Sequence, residues 1–374
     1  CLSISVTAVQ SVTAFTIDFG RNARGMRQPV KKCNIGGQGV LEGVMMRSDT
    51  TAGLAVRKAT GEVVFEREPV KSAAKKNWFT RLLFVRGVVA FVDMMEYGMK
   101  TITKSAKMYG DEDADYEPNR FEKFIANKTG KDVMDIAMGF AVVLAIVLAV
   151  GIFFILPNVL ANLMQGWIYG KGVELTASQQ FVMNLVDGGI RLVIFIVYIS
   201  AVTLMKDIKR VFRYHGAEHK TINCFEHEEP LTVENIQKYR TLHPRCGTSY
   251  LLLVMVLSIL LFSLLGWSNA WYVKIGLRLL MLPVVAGVAY EFLKFAALSD
   301  NLFFRIIRWP GLMLQKLTTA PPDDSMVEVA IVAFNAALNV MTMDELQALA
   351  DGFKRPAQVP AKKEKDEAEP QPEE

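Results

Sequence analysis

Along most of the chain apolar and polar positions alternate, but in four stretches the polar positions nearly vanish. Ile136 to Leu156 runs for 21 residues without a charge and ends at Pro157. At about 1.5 Å per residue, a helix of that length crosses a hydrocarbon core of about 30 Å. Tyr250 to Trp267 is a second charge-free run, of 18 residues. Phe181 to Met205 is long enough as well and carries Asp187 and Arg191 at i,i+4, where each can neutralise the other on one helix face. Ile275 to Leu298 is the fourth, with Arg278 near its start and Glu291 and Lys294 near its end. One such run could be a buried core helix; four predict a mainly α, polytopic membrane domain of four spans over 136–298.

Outside these runs the periodicity is that of smaller elements. Residues 26–77 open with a glycine-rich stretch (Gly36, Gly37, Gly39, Gly43). A hairpin follows over 54–66, turning at Thr60-Gly61, so a small β-containing segment precedes the helices. Over 78–107 the 3.6-residue spacing predicts a helix with Arg86, Asp93, Glu96, Lys100 and Lys104 on one face and a broad apolar remainder. Such a helix, in the region 78–135, suits a membrane interface or the flank of a bundle. Asp111-Glu112-Asp113 closes it. Ser325 and Glu328 have capping-box spacing and predict a helix to about residue 340, within C-terminal helices over 299–352. The Lys/Glu/Pro-rich tail over 353–374 is expected to be disordered. Residues 1–25 have neither a signal-peptide pattern nor a core-like period, and Met26 is the expected biological start.

Composition agrees with lipid. Apolar types make up 51% and charged types 21% of 374 residues, and the mean hydropathy is +0.24. A net charge of only +4 does not indicate a nucleic-acid surface. Lys and Arg distribute unevenly among the loops. The segment 157–180 has only Lys171 and the third loop only Lys274. The loop 206–249 has eight, namely Lys206, Lys209, Arg210, Arg213, Lys220, Lys238, Arg240 and Arg245. By the positive-inside rule, both termini and the 206–249 loop face the cytoplasm, where thiols stay reduced.

All four histidines, His215, His219, His227 and His243, fall in that one loop. His215 and His219, in the pattern H-x-x-E-H, share a helix face about one turn apart if the second span continues as a helix. That is a spacing two imidazoles can use on one metal ion. Glu218 lies beside them as a general base or ligand. His243 and Cys246 return to the same membrane face just before the third span. Together His215, His219, His243 and Cys246 form a borderline-soft N/S set suited to a divalent transition metal, zinc first and iron second. The bland alternative is a set of juxtamembrane surface histidines among basic residues meeting anionic lipid headgroups. It leaves Cys246 and the confinement of every histidine to one loop unexplained. His227, between Glu226 and Glu228, reads as a solvated residue, and Cys224 as a small packed thiol.

Three motifs also carry a resemblance: Gly36-Gly37-Gln38-Gly39-Val40-Leu41-Glu42-Gly43-Val44-Met45-Met46-Arg47, Tyr214-His215-Gly216-Ala217-Glu218-His219-Lys220 and His243-Pro244-Arg245-Cys246-Gly247-Thr248-Ser249. In this order they resemble the YqhQ family of bacterial membrane proteins. The resemblance covers about Gly36 to Val340, includes Tyr290-Glu291, and implies a metal-dependent enzyme without naming a substrate. The first motif lacks the GK[ST] ending of a phosphate-binding loop. Its glycines are expected to allow a tight backbone path that brings Glu42 or Arg47 to the metal loop. Glu291 is read either as functional or as a simple ion pair. The expected function is a membrane-integral, metal-dependent hydrolase. His215, His219 and one of His243 or Cys246 would hold the metal, with Glu218 as base. The rival is a scaffold or transport-accessory protein with a closed structural site. A third reading makes Cys246 a nucleophile activated by His243.

Overall fold

A computed structural model describes residues 35–70, 85–110, 133–170, 172–244, 246–263, 271–298 and 302–356, with isolated positions 78, 80 and 82. The expected start at Met26, the Asp111–Asp113 helix end and the tail beyond residue 356 lie outside the described residues.

The described residues open with an antiparallel meander of four strands, β1 (Gly36–Val40), β2 (Gly43–Arg47), β3 (Thr51–Arg57) and β4 (Val63–Pro69), in the order β1-β2-β3-β4. The β3–β4 hairpin turns at Gly61, whose φ of 85° suits a residue without a Cβ. The glycine-rich stretch, which sequence periodicity alone leaves unassigned, is the first hairpin: Val40 pairs with Gly43 across a two-residue turn. Alternation then sorts the side chains. Val44, Met46 and Ala55 pack with α10 (Asp324–Leu338) and α5 (Lys206–Glu226), while Val40, Met45, Leu54 and Val56 pack toward Tyr97 and Met108 of α1 (Val85–Tyr109). Helices therefore cover both faces of the sheet.

Every residue of α10 from Ser325 to Ala337 is buried. Gly53 makes room for it: a Cβ there would lie 2.5 Å from the Ala333 carbonyl and the Ala336 Cβ. Its N-cap is Asp323, which accepts from the Met326 N–H at 3.1 Å, and not Ser325 as the capping-box spacing predicts. Glu328 is drawn away instead by Arg57 at 2.8 Å and Arg355 at 2.6 Å, both reaching it from outside the helix. The same contacts hold residues 353–356, so the expected disordered tail cannot begin at residue 353. A genuine capping box starts α11 (Met343–Gly352), between Thr342 and Glu345.

The other described elements are helices. α2 (Val133–Val150) passes through a π-helical turn (Gly151–Ile155) into α3 (Leu156–Ile168). Pro157, expected to end the run, sits instead in the first turn of α3, where its missing N–H is tolerated. α4 spans Ala177–Val202. Then come α5, a single-turn α6 (Val233–Gln237), α7 (Gly247–Ser263), α8 (Trp271–Leu298) and α9 (Leu302–Thr318). Among the described residues two helices are long and apolar enough to cross a membrane: Val142–Ile168, of 27 residues, and Ala177–Val202, of 26. Both carry outward-facing apolar side chains, among them Ile146, Val147, Val193 and Val197. The third and fourth apolar runs of the sequence correspond to the 17-residue α7 and to α8, whose apolar stretch is Pro283–Phe292.

Asp187 and Arg191 do pair, at 3.2 Å, but not with each other alone: Arg278 of α8 reaches the same Asp187 Oδ2 at 2.7 Å. Their spacing therefore does not close the charge account, because a third ionic group arrives from another helix.

Candidate metal centre

The H-x-x-E-H motif lies on α5, and the helix is separated from α4 by a break at Thr203–Met205. Met205 is the extended N-cap, so α5 is a new element and not the expected continuation of the second span. Within α5 the spacing works as predicted. His215 and His219 present their rings side by side, with centroids 4.4 Å apart, and Glu218 lies on the same face.

The glycine motif explains why α5 can be held so closely. β1 packs its backbone directly on the metal-motif helix. A Cβ at Gly39 would lie 2.5 Å from the Val211 carbonyl oxygen and 2.6 Å from the His215 nitrogen. One at Gly37 would lie 3.0 Å from Glu218 Cγ and 2.2 Å from the Met45 carbonyl. The Gly37 backbone also faces the Glu218 carboxylate and favours its charged form. Glu42 does reach α5, as expected, but below the site. In its left-handed turn (φ 48°) it takes a bidentate Arg210 pair and accepts from the Tyr214 hydroxyl at 3.1 Å. Arg47 does not reach the site. It points to the other face of the sheet, with its guanidinium 5.2 Å from the centre of the Tyr97 ring. Glu291 is engaged by both nitrogens of a forked Arg86 contact from α1, which is the ion-pair reading.

Backbone carbonyls fix the tautomers of the two imidazoles. His215 Nδ1 lies 2.9 Å from the Thr318 oxygen, and His219 Nδ1 2.5 Å from the Thr241 oxygen. A carbonyl can only accept, so each Nδ1 carries its proton, and it is Nε2 of the neutral ring that offers a lone pair. Cys246 Sγ stands 3.3 Å from His215 Nε2. Donor atoms of His215, His219 and Cys246 all lie within 4.8 Å of one another, the grouping that one ion could bridge. Glu218 Oε2 is 3.5 Å from His219 Nε2 and 3.7 Å from His215 Nε2. It is buried without a hydrogen-bond partner. His243 is placed apart from this group. It sits beyond His219, ring centroids 5.7 Å apart, with Nε2 facing Glu226 Oε2 at 3.5 Å. Its loop is pinned there by Gln315 of α9, which accepts from the His243 N–H at 2.9 Å and donates to its carbonyl at 2.8 Å. Of the two alternatives for a third ligand, geometry favours Cys246.

Burial sets the protonation states. Desolvation pushes Glu218 up to about 8, against the opposing pull of His215. It drives His219 well below its usual range and His243 down to about 4, so both imidazoles are neutral at pH 7. It also raises the Cys246 thiol, opposed by the Thr248 hydroxyl 3.1 Å from Sγ. A lone-pair imidazole pair, a buried thiol and an unpartnered carboxylate oxygen are what a borderline-soft divalent cation would satisfy together. The donor chemistry fits zinc.

Two other expectations sort cleanly. His227 faces outward beside Tyr239, its Nδ1 on the Asn223 carbonyl at 2.7 Å. Cys224 is a buried thiol pushed up to about 12 by desolvation. What the sequence did not yield are the carbonyl anchors at Thr241 and Thr318 and the clamp at Gln315. Only Gln315 leaves a trace there: a lone amide in the apolar run Leu312-Met313-Leu314, fully buried.

The family described as "Protein of unknown function (DUF1385)" matches residues 82–340. The chain belongs to this family. It is also 32% identical over 311 residues to the uncharacterized protein YqhQ of Bacillus subtilis (strain 168), an alignment covering 83% of this chain and 94% of that protein. No solved structure matches. Both motifs that build the centre on α5 and α7 fall within the family match.

Proposed function

We propose that the protein is a membrane-integral, metal-dependent enzyme of the bacterial inner membrane, with hydrolysis as its reaction. The topology in this reading has four spans, both termini cytoplasmic and the centre at the cytoplasmic face. One observation carries the reading: two histidines locked as Nε2 donors converge with the Cys246 thiol beside a buried, unpartnered carboxylate oxygen. His215, His219 and Cys246 would hold the ion. A zinc ion, or iron as the next match, would supply Lewis acidity at this spot. Glu218 is the group that takes and returns a proton at Oε2, the oxygen that has no hydrogen-bond partner and lies 3.5 Å from His219 Nε2. The Gly37 N–H and the packing of β1 hold that carboxylate in place.

The depth of the site supports a second reading. Glu218 is 3% and His219 1% exposed, values that also suit a closed structural centre in a scaffold or transport-accessory protein. Cobalt substitution of detergent-purified protein separates the two. An open position predicts a visible spectrum with a cysteinate charge-transfer band that shifts when azide is added. A spectrum indifferent to azide assigns the structural role. Failure of the wild type to carry any metal removes both readings.

A further inference from the structure

Asp187, Arg191 and Arg278 form a second ionic cluster, remote from the metal centre. Arg278 lies 5.8 Å from the ring of Phe262, near the end of α7, whereas Cys246 precedes the start of that helix. The two sites are therefore about 24 Å apart along α7, at about 1.5 Å per residue.

The cluster is not neutral. Two guanidinium groups meet one carboxylate, leaving one positive charge, and Asp187 is its only carboxylate among the described residues. Arg278 is 5% and Asp187 2% exposed. Their surroundings are apolar: Arg191 lies 5.7 Å from the Phe154 ring, and Ile259 packs against Gly188. An uncompensated charge in such a place is costly, and polar groups there need partners. Yet Arg278 Nη1 and Asp187 Oδ1 are both buried without a hydrogen-bond partner. One is a donor and the other an acceptor. A ligand that completes the cluster must therefore bring a negative charge to Arg278 and a proton donor to Asp187.

We propose that the Asp187–Arg191–Arg278 cluster binds a phosphate-class monoanion bearing a hydroxyl, supplied by an anionic phospholipid headgroup of the phosphatidylglycerol type. The phosphate oxygen would accept from Arg278 Nη1, and a glycerol hydroxyl would donate to Asp187 Oδ1. The lipid source is favoured by what flanks the cluster. Leu185 on α4 and Leu277 and Leu280 on α8 are exposed apolar side chains at its level. Arg278 lies seven residues into α8 and Asp187 ten into α4, within about 10 and 15 Å of the helix starts, a depth that a headgroup and a flexible guanidinium can bridge.

Full-length protein in detergent, analysed by native mass spectrometry with phosphatidylglycerol against phosphatidylcholine, tests this. Wild type should retain about one phosphatidylglycerol per chain, and Arg278→Met should lose at least about tenfold of that preference. Melting temperature provides the second readout. Phosphatidylglycerol should raise that of wild type and of Arg278→Lys but not of Arg278→Met, which has no excess charge to compensate. If inorganic phosphate displaces the lipid and reproduces the stabilisation, the anion class stands and its source is soluble. Equal retention of both lipids, with no stabilisation by phosphate and no difference between wild type and Arg278→Met, overturns the proposal.

Discussion

Glu218 is the side chain whose chemistry the surroundings alter most usefully. Its carboxyl is pushed up to about 8 by burial, so over the range from about 4.5 to 8 the metal-free native state binds a proton that the unfolded chain has released. Stability from this group is thus present at acid pH and lost as pH rises through that window. Below about pH 6.5 the neutral His219 and His243 tilt the profile the other way, so the chelated wild type should melt progressively lower between about pH 6.5 and pH 8, and Glu218→Gln should flatten that dependence. A Glu218→Gln profile that keeps the wild-type slope would locate the titration elsewhere. Metal content separates the roles further. His215→Ala and His219→Ala each remove an Nε2 donor from a group of three and should leave purified protein without metal after dialysis. Glu218→Gln should keep its metal, and His227→Ala, on an outward-facing residue, should keep both metal and stability. The members of this centre were legible because imidazole and thiol are rare in this chain and fall together. Their division of labour was not, because only the third dimension shows that Gln315 turns His243 toward Glu226 while Cys246 stays with His215.

Among the elements, β1 decides how near the sheet comes to the metal-motif helix. Gly36 and Gly39 are neighbours in one motif with opposite surroundings: nothing lies within 4 Å of a Cβ at Gly36, whereas one at Gly39 would meet the α5 backbone at 2.5 Å. Gly39→Ala must push β1 off α5 and should cost about 1–3 kcal/mol, read as a lower melting temperature, with weaker metal retention because the Gly37 contact to Glu218 shifts with the strand. Gly36→Ala should be close to wild type in both. Equal effects at the two positions would remove the packing explanation. The strand pairing itself escaped the periodicity of the sequence because glycines carry no apolar signal to alternate, so β1 and β2 stay unassigned by it. The β3–β4 hairpin, rich in β-branched residues around Thr60-Gly61, was readable. The interfacial character expected of α1 is met only in part by its charged face. Arg86 and Lys104 are spent on Glu291, Glu66 and Glu68, while Val92, Met95, Met99 and Ile102 remain outward.

For the whole molecule, the question is which side of a membrane each part occupies, and the structure sharpens how it can be asked. The basic loop 206–249 folds as α5, α6 and the Cys246 segment against the sheet and α10, so the candidate metal site and the four-stranded sheet must share one compartment. The short connection 169–176 lies at the opposite end of α3 and α4, the two helices whose apolar surface suits a bilayer. The native thiols Cys224 and Cys246 are buried and would resist a labelling reagent on either side, so they cannot report topology. Exposed positions can: Glu174 in the short connection and Lys238 beside α6. In a background with Cys1 and Cys33 replaced by Ser, Glu174→Cys should react with a membrane-impermeant maleimide on intact cells. Lys238→Cys should react only after permeabilisation. The expectation rests on eight Lys and Arg over 206–249 against Lys171 alone over 157–180, an asymmetry that orients spans during insertion. Labelling of Lys238→Cys from outside would invert the orientation and move the sheet and the metal centre to the outer face together. There a buried Cys246 would meet an oxidising compartment, and the zinc reading would have to compete with thiol oxidation.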